Sequence, residues 1–563
     1  MKIEYDSKSN KFLMTPGFGE NGLVVGMPER RFRKGTGVWA VPALKQNIVY
    51  MEQHLNNPRM YSEEALAAFN VRRQKIAMAE PEAKVPGTHL FPAWFKFKNK
   101  PMNHQQQALE KFFPLDEAAI LFEQGLGKTF TAINLACAWR MTDKIDSVIV
   151  ICPSSIKQVW EEEIAKHSPL PYQSHVLESG KYTKAVGFLE KRSDFQWMVV
   201  GVESFSQGDA IEYATRYMLG RRCMMIIDES SRIKTPNKIR TDRCIKLGEL
   251  AKKRVILSGT ALTQGLEDFY TQFAFLNKDI IGYNSYYSFR AQYCVLRSIP
   301  ISATRSISTI VGYKNEAEFI QLVAPYSMRV EKTILPDMPE KVYTTRYVTM
   351  NPTQKRLYNE MKHELYNEIN GVEYEVSTVL EQMLRLQQIT GGHYARDDGE
   401  KVVPTPIPGK NPKIQELMSV LDEVSGKVIV WVQFRSEVDL IVDALHKAKV
   451  QYVQFHGGCD EGEKRFAVQN FRADPATKVF VATRAAAYGL TLTEASTAVY
   501  FSQSYSLEEY SQNQDRIHRI GQKEVCNYIH LTCDKTIDTK VIKALQDKKA
   551  VADLIYDLLK ENN

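Results

Sequence analysis

The chain has 563 residues, 44% of them hydrophobic and 25% charged, with a net charge of +7, so it is too long for one core and is expected to form about three or four domains. No apolar run approaches the roughly 20 residues of a membrane-spanning helix, the N-terminus lacks a secretory signal, and eight scattered cysteines without a C-x-x-C pair argue against a zinc ribbon or redox dithiol. The expectation is an intracellular chain, cytoplasmic in a prokaryotic or viral-host cell and nuclear in a eukaryote, whose mild basicity permits a polyanionic partner without demanding one.

The first 95 residues read as a module of their own. "GLVVGMPERRFRKGTGVWAVP" alternates apolar and polar residues around Gly35 to Gly37, which predicts a small β-hairpin with Arg30, Arg31, Arg33 and Lys34 crowding its turn side. From about residue 115 the pattern becomes strand, loop, helix, repeated. "AAILFE", "SVIVIC", "WMVVGV", "CMMIID" and "RVILS" are short and apolar on both faces, as buried parallel strands are. A second series follows, "KVIVWVQF", "YVQFHGG", "KVFVAT", "TAVYFS" and "NYIHLT". The fold class is therefore α/β, with two parallel-sheet lobes. Between them lie helical stretches such as "PTQKRLYNEMKHELYNEI" and "STVLEQMLRLQQI", and the aromatic-rich "IGYNSYYSFRAQYC" is read as packing inside a helical insertion. The expected boundaries are 1–95 for the N-terminal α+β module, 96–265 for the first lobe, 266–410 for insertions and linker, and 411–563 for the second lobe.

Four short motifs carry chemistry. In "AILFEQGLGKTFTAINLA", Gly125, Leu126 and Gly127 connect a strand to a helix, although Phe122 stands where a strict phosphate loop has its first glycine. Two glycines let backbone N–H groups turn toward phosphate oxygens, the helix N-terminus adds its positive dipole end, Lys128 supplies charge and Thr129 a hydroxyl for magnesium. "CMMIIDESSRIK" ends a strand in Asp228 and Glu229, one carboxylate for Mg²⁺ and one to orient and deprotonate water. "RVILSGTAL" ends another in Ser258, Gly259 and Thr260, small residues suited to relaying between a nucleotide and another surface. In "YSQNQDRIHRIGQ", Gln512, Arg516 and Arg519 recur at helical spacing, which places both arginines on one face where they can stabilise charge on a transferred phosphoryl group.

The ordered set "EQGLGKT", "IIDESSRIK", "LSGTALTQGLEDFYTQFAFLN", "VATRAAAYGLTL" and "QNQDRIHRIGQ" resembles the Swi/Snf-type family of superfamily-two DNA translocases, from about Met102 to Lys549. The sequence departs from that family at Ser230 and Ser231 after the acidic pair, at Ala486 and Ala487 where a glycine pair is expected (Gly489 is kept), and at "SQSYSLEEY" in place of D-x-W-N-P. The resemblance implies RecA-like lobes and further roles. Gln105 matches the adenine-sensing glutamine. Pro153, Ser154, Ser155 and Lys157, then Glu203 and Ser204, match strand-contact motifs of the first lobe. Gln433, Phe434, His456, Gly457, Thr483 and Arg484 match those of the second. "RRFRKGTGVWAVP" resembles the small HepA-related substrate-recognition modules of annealing-helicase relatives, which makes Arg30, Arg31 and Arg33 expected DNA contacts.

The expected function is an ATP- and Mg²⁺-dependent motor on double-stranded or forked DNA, reannealing or remodelling it, working as a monomer with no membrane partner. Two rivals stand beside it: a strand-separating DNA or RNA helicase of the same superfamily, and a non-enzymatic DNA-binding scaffold with a relic nucleotide site. With no bromodomain-like, chromodomain-like or long basic segment beside the motor, a compact prokaryotic or viral protein is expected rather than a chromatin remodeller.

Overall fold

The structure, a computed structural model, describes residues 1–79, 91–178, 186–190, 195–259, 265–302, 305–334, 338–370, 376–397, 402–486 and 490–547. They divide into two compact units, Met1–Ser298 with Ser308–Glu331, and Ile299–Ile307 with Lys332–Asn563.

At the N-terminus, β1 (Lys2–Asp6), β2 (Lys11–Thr15), β3 (Arg31–Arg33) and β4 (Val38–Pro42) form an antiparallel sheet in the order β1-β2-β4-β3. The β3–β4 connection turns at Gly35 (φ 91°) and Gly37 (φ 68°), left-handed conformations that glycine adopts without steric cost. Ile3, Phe12, Met14 and Val41 from the sheet share a core with Ile48, Met51, Ala65 and Phe69 from helices Lys45–His54 and Glu63–Ala79. This module belongs to the first unit and packs on helix Leu266–Ile281 and the turn after it. Arg72 pairs with Asp279 at 2.9 Å, and Glu29 accepts the Ser285 amide at 2.7 Å. Gly282, at φ 69°, leaves room for the Gln46 side chain, which would stand 2.2 Å from an added Cβ.

The large sheet of the first unit contains β5 (Glu117–Phe122), β6 (Ser147–Cys152), β7 (Gln173–Leu177), β8 (Gln196–Gly201), β9 (Cys223–Asp228) and β10 (Lys253–Leu257). After it, β11 (Cys294–Ser302) and β12 (Arg305–Tyr313) pair as a small sheet, and β13 (Ser327–Val330) returns to the large one. The order is β13-β5-β10-β9-β6-β8-β7, parallel throughout. Helix Leu266–Ile281 buries Phe269, Phe273, Phe275 and Leu276. The aromatic stretch beyond it is core as expected: Phe289 lies 4.8 Å from Tyr293 and 5.8 Å from Phe319, ring centre to ring centre.

In the second unit, β14 (Lys341–Val348), the paired β15 (His393–Asp397) and β16 (Val402–Pro406), β17 (Lys427–Trp431), β18 (Tyr452–Phe455), β19 (Val479–Ala482), β20 (Ala495–Tyr500) and β21 (Cys526–Cys533) follow in sequence. The main sheet runs β14-β21-β20-β17-β19-β18, again parallel. Every apolar stretch read as a strand is one. In the two large sheets, three of the described strands went unread: β7, β13 and β14. All three end a sheet or lie beside one face of water; in β14, Val342, Tyr343 and Tyr347 are exposed, so no continuous apolar run marks it. The segment 266–410 is accordingly shared out: its first helices and β13 belong to the first unit, and β14 with helices Pro352–Asn370 and Val376–Gly391 to the second.

Candidate nucleotide site and strand-facing edges

Parallel strands all point their C-terminal ends the same way, so the loops that follow them gather at one edge. Strand order then decides which loops are neighbours. β10 inserts between β5 and β9, with Leu257 opposite both Ile120 and Asp228. The turn at Gly259 therefore lies between the glycine loop and the acidic pair, which the chain order would not suggest. A Cβ on Gly259 would stand 3.2 Å from Gln124 Cγ and 3.6 Å from Lys128 Nζ. Ser258 is buried and donates its amide to Ile120 O at 3.2 Å. Thr260 lies outside the described residues.

The loop itself turns through Gly125 (φ 89°) and Gly127 (φ 79°), with Leu126 buried between them. Gln105 donates to Leu126 O at 3.1 Å and accepts the Met102 amide at 2.9 Å; a Cβ at Gly127 would stand 2.2 Å from its Nε2. Lys128 is buried, with Nζ on Phe122 O at 2.9 Å. Gly127 caps helix Lys128–Met141 without a side-chain hydrogen bond, so the first amides of that helix, together with the Lys128 ammonium and the half-buried Thr129, make a donor set that fits a polyphosphate.

Opposite, Asp228 is held from two sides. Trp160 Nε1 donates to Oδ2 at 2.8 Å and the Glu229 amide to Oδ1 at 2.9 Å. Glu229 adopts φ 48°, ψ 58°, a left-handed conformation that costs a non-glycine residue roughly 1–2 kcal/mol. Gln124 Nε2 donates to Glu229 Oε1 at 3.1 Å. Ser231 stands where the family has its histidine, and its neighbour Ser230 donates to Gln272 on helix Leu266–Ile281. Gln124 lies inside "EQGLGKT" and Trp160 three residues after Lys157, but only their hydrogen-bond partners reveal these roles.

Farther along the same edge, β6 and β8 are neighbours, with Cys152 opposite Gly201. The two strand-contact motifs predicted for this lobe meet there. Ser154 gives both its amide (2.9 Å) and its hydroxyl (2.8 Å) to Glu203 Oε2, and Ser204 gives its hydroxyl to Gly201 O at 2.5 Å. Pro153 is buried, Ser155 half-buried, and Lys157 reaches Leu177 O at 3.3 Å.

In the second unit, Gln433 and Phe434 follow β17, His456 and Gly457 follow β18, and Thr483 and Arg484 follow β19. The order β17-β19-β18 brings these pairs to one edge. Gly457 and Arg484 are exposed; His456 and Thr483 are largely buried, and burial holds the His456 imidazole below its usual value. Glu437 organises this edge and was not foreseen. Its Oε2 accepts the amides of Gln433 (3.2 Å) and Phe434 (3.1 Å) and the hydroxyl of Ser502, which itself accepts the Gln433 amide at 2.7 Å. Full burial raises the Glu437 carboxyl to about 7. Beneath it, Lys413 and Asp538 form a buried ion pair at 2.7 Å.

The helix expected to carry Gln512, Arg516 and Arg519 ends at Gln514. Both arginines instead sit in the turn that follows, so the shared helical face is corrected. They converge all the same, because Arg516 Nη1 (2.7 Å) and Arg519 Nη1 (3.3 Å) donate to the same acceptor, Leu490 O. Arg516 is fully buried, its Nε on Gln512 O at 2.9 Å, whereas Arg519 is half-exposed. Ala486 is buried; Ala487 and Gly489 lie outside the described residues. In the N-terminal module, Arg31 and Arg33 are exposed on edge strand β3. Arg30 is half-buried, donating to Met27 O at 2.9 Å and lying 5.9 Å above the Trp39 ring.

Residues 104–394, over half of the chain, match the SNF2-related domain, and residues 409–521 match the helicase conserved C-terminal domain. The chain belongs to the SNF2-related family. This family is one of helicase-like ATPases. Among curated relatives, the SNF2-related chain is 24% identical to a TATA-binding protein-associated factor, BTAF1, of Arabidopsis thaliana, over 77% of its own length and 24% of the relative's. It is 23% identical to the ISWI chromatin-remodeling complex ATPase ISW1 of Saccharomyces cerevisiae, covering 77% and 38%, and 23% identical to a DNA repair and recombination protein RAD54-like of Drosophila persimilis, covering 77% and 60%. It thus spans between about a quarter and three fifths of these relatives. A solved Sulfolobus solfataricus SWI2/SNF2 ATPase core in complex with dsDNA is 21% identical, with 82% of this chain and 93% of that one covered at a TM-score of 0.38. Among the described residues, no helix of this SNF2-related chain is long and apolar enough to cross a membrane.

Proposed function

We propose that this chain hydrolyses ATP and uses the cycle to translocate along double-stranded DNA, remodelling or reannealing structures such as forks. The observation that carries the reading is the insertion of β10 between β5 and β9, which gathers the Lys128 loop, Gly259 and the Asp228–Glu229 pair at one sheet edge. On that edge Lys128 and the uncapped helix amides bind phosphates, Gln105 supports the loop from behind, and Glu229 orients and deprotonates the attacking water. Thr129 and Asp228 would hold Mg²⁺, which supplies charge neutralisation of the triphosphate when bound. Arg519 stabilises charge on the transferred group, and Arg516 fixes the Leu490 carbonyl on which both guanidiniums rest. Ser258, Gly259 and Gln512 transmit the state of this site.

The strand-facing edges, from Ser154 and Glu203 in the first unit to Gln433, Gly457 and Arg484 in the second, track a phosphate backbone without reading bases. Residues 1–95 select the DNA structure through Arg31 and Arg33. Relatives named for DNA repair and for chromatin remodeling support DNA rather than RNA as the substrate. The deciding experiment is ATPase rate with matched single-stranded, duplex and forked DNA and single-stranded RNA at fixed salt. Stimulation by duplex or fork is expected. Stimulation by RNA alone, or strand separation without duplex stimulation, overturns the reading in favour of a helicase, and no turnover at all in favour of a scaffold.

A further inference from the structure

A phosphate backbone needs donors and positive charge, yet the first-unit edge spends its donors inward. Ser154 gives amide and hydroxyl to Glu203, and Ser204 gives its hydroxyl to Gly201 O. Lys157, the one cation of these motifs, is half-buried on Leu177 O, and the exposed Glu203 carboxylate repels phosphate. Cations must come from elsewhere, and the segment packed against this turn supplies them.

Between Arg232 and Lys246 the chain carries six Lys and Arg against one Asp, a local net of +5 in a protein whose total is +7. Four of these cations belong to helix Ile239–Gly248 and its N-cap: Lys238, Arg240, Arg243 and Lys246. Among the described residues none of the four forms an ion pair with a carboxylate. Lys238 and Lys246 are exposed, and Arg240 and Arg243 half-exposed. Arg240, Arg243 and Lys246 follow one another at three-residue spacing, where like charges repel, and Lys238 and Arg240 sit at the helix end whose dipole disfavours cations. The guanidiniums are also aimed: Arg240 Nε bonds Ser206 Oγ at 3.0 Å and Arg243 Nη1 bonds Phe205 O at 3.1 Å, both on the short turn that carries Glu203 and Ser204. The opposite side of the helix is fixed in the core by Cys244 and Leu247. Thr241 donates to Thr235 O at 2.8 Å, tying the helix to the segment that leaves Glu229.

We infer that Lys238, Arg240, Arg243 and Lys246 form a binding surface for the phosphate backbone of duplex DNA, lying beside the Ser154–Glu203 contact and supplying the positive charge that contact lacks. This rests on the DNA-motor reading and adds a surface that no strand-contact motif marks.

The test is duplex affinity of the full chain measured across a salt series. Each phosphate contact contributes close to 0.9 to the slope of log affinity against log salt. Lys238→Gln with Lys246→Gln is expected to weaken binding and lower the slope by about 2. Lys523→Gln with Lys535→Gln, exposed lysines of the second unit, removes the same charge and is expected to leave the slope unchanged. Arg240→Gln with Arg243→Gln is expected to lower it likewise, and the thermal midpoint of each variant reports that it is folded. A slope unchanged in both helix variants, or lowered equally by the second-unit pair, overturns this surface while leaving the motor reading intact. If the unaltered chain binds no duplex, both fall together.

Discussion

Trp160 and Asp228 stand 68 residues apart in sequence, and the indole Nε1 of the first donates to the carboxylate Oδ2 of the second at 2.8 Å inside the first unit. A hydrogen bond to a charged group contributes about 1.5–3 kcal/mol, and this one fixes the rotamer of the residue assigned to magnesium. Trp160→Phe keeps most of the packing and removes the donor. The Mg²⁺ concentration at half-maximal ATPase should rise at least several-fold, read from a metal titration at saturating ATP. An unchanged titration would detach Trp160 from the metal site.

Glu229→Gln should retain ATP binding while turnover falls by about 10² or more, the usual contribution of a general base. Equilibrium nucleotide binding and steady-state hydrolysis separate the two effects. Turnover equal to that of the unaltered chain would reject Glu229 as the base.

Gly127→Ala places a methyl group at φ 79°, 2.2 Å from Gln105 Nε2. The left-handed backbone alone costs about 1–2 kcal/mol, and Gln105 must leave Leu126 O. ATP affinity should drop about tenfold or more by fluorescent-nucleotide titration. Full affinity in this variant would show that the loop does not hold phosphate in the conformation described.

Glu437 predicts a pH dependence for the second unit. In the folded chain it keeps its proton up to about 7, whereas the unfolded residue loses it near 4.5, so the native state holds the extra proton in between. Stability should therefore fall as pH rises through that window, by at most about 3 kcal/mol, and stay level above it. Denaturant midpoints from pH 5 to 8 measure the trend, and Glu437→Gln should flatten it. A slope that persists in the variant would place the titration on another group.

The arginines of the N-terminal module should separate into two classes. Arg31→Ala with Arg33→Ala removes exposed charge from β3 and should weaken binding to forked DNA several-fold in a competition assay. Arg30→Ala loses a bond to Met27 O and a ring contact with Trp39, and should lower the thermal midpoint instead. Identical behaviour of all three would remove the distinction between contact and support.

The chemistry at single positions was legible in the sequence because it is local. A buried parallel strand announces itself as an unbroken apolar run, and the residue that ends it, Asp228 or Ser258, necessarily lies at the loop edge. Gly125, Gly127 and Lys128 likewise follow from the change of period between strand and helix. Edge strands β13 and β14 escaped because one exposed face mixes polar residues into the run. The helix through Arg519 was misread because recurring arginines look periodic even where the chain has left its helix at Gln514.

What the amino-acid order determined by itself is therefore the two parallel lobes and the residue types that end their strands. The tertiary structure alone decided which ends are neighbours: Gly259 beside Lys128, Trp160 on Asp228, Glu437 beneath Gln433 and Phe434, Arg516 buried on the Leu490 carbonyl. The reason is physical. Apolar periodicity is set by each segment's own relation to a core, whereas strand order and hydrogen-bond partners depend on segments tens to hundreds of residues away, which no local pattern encodes.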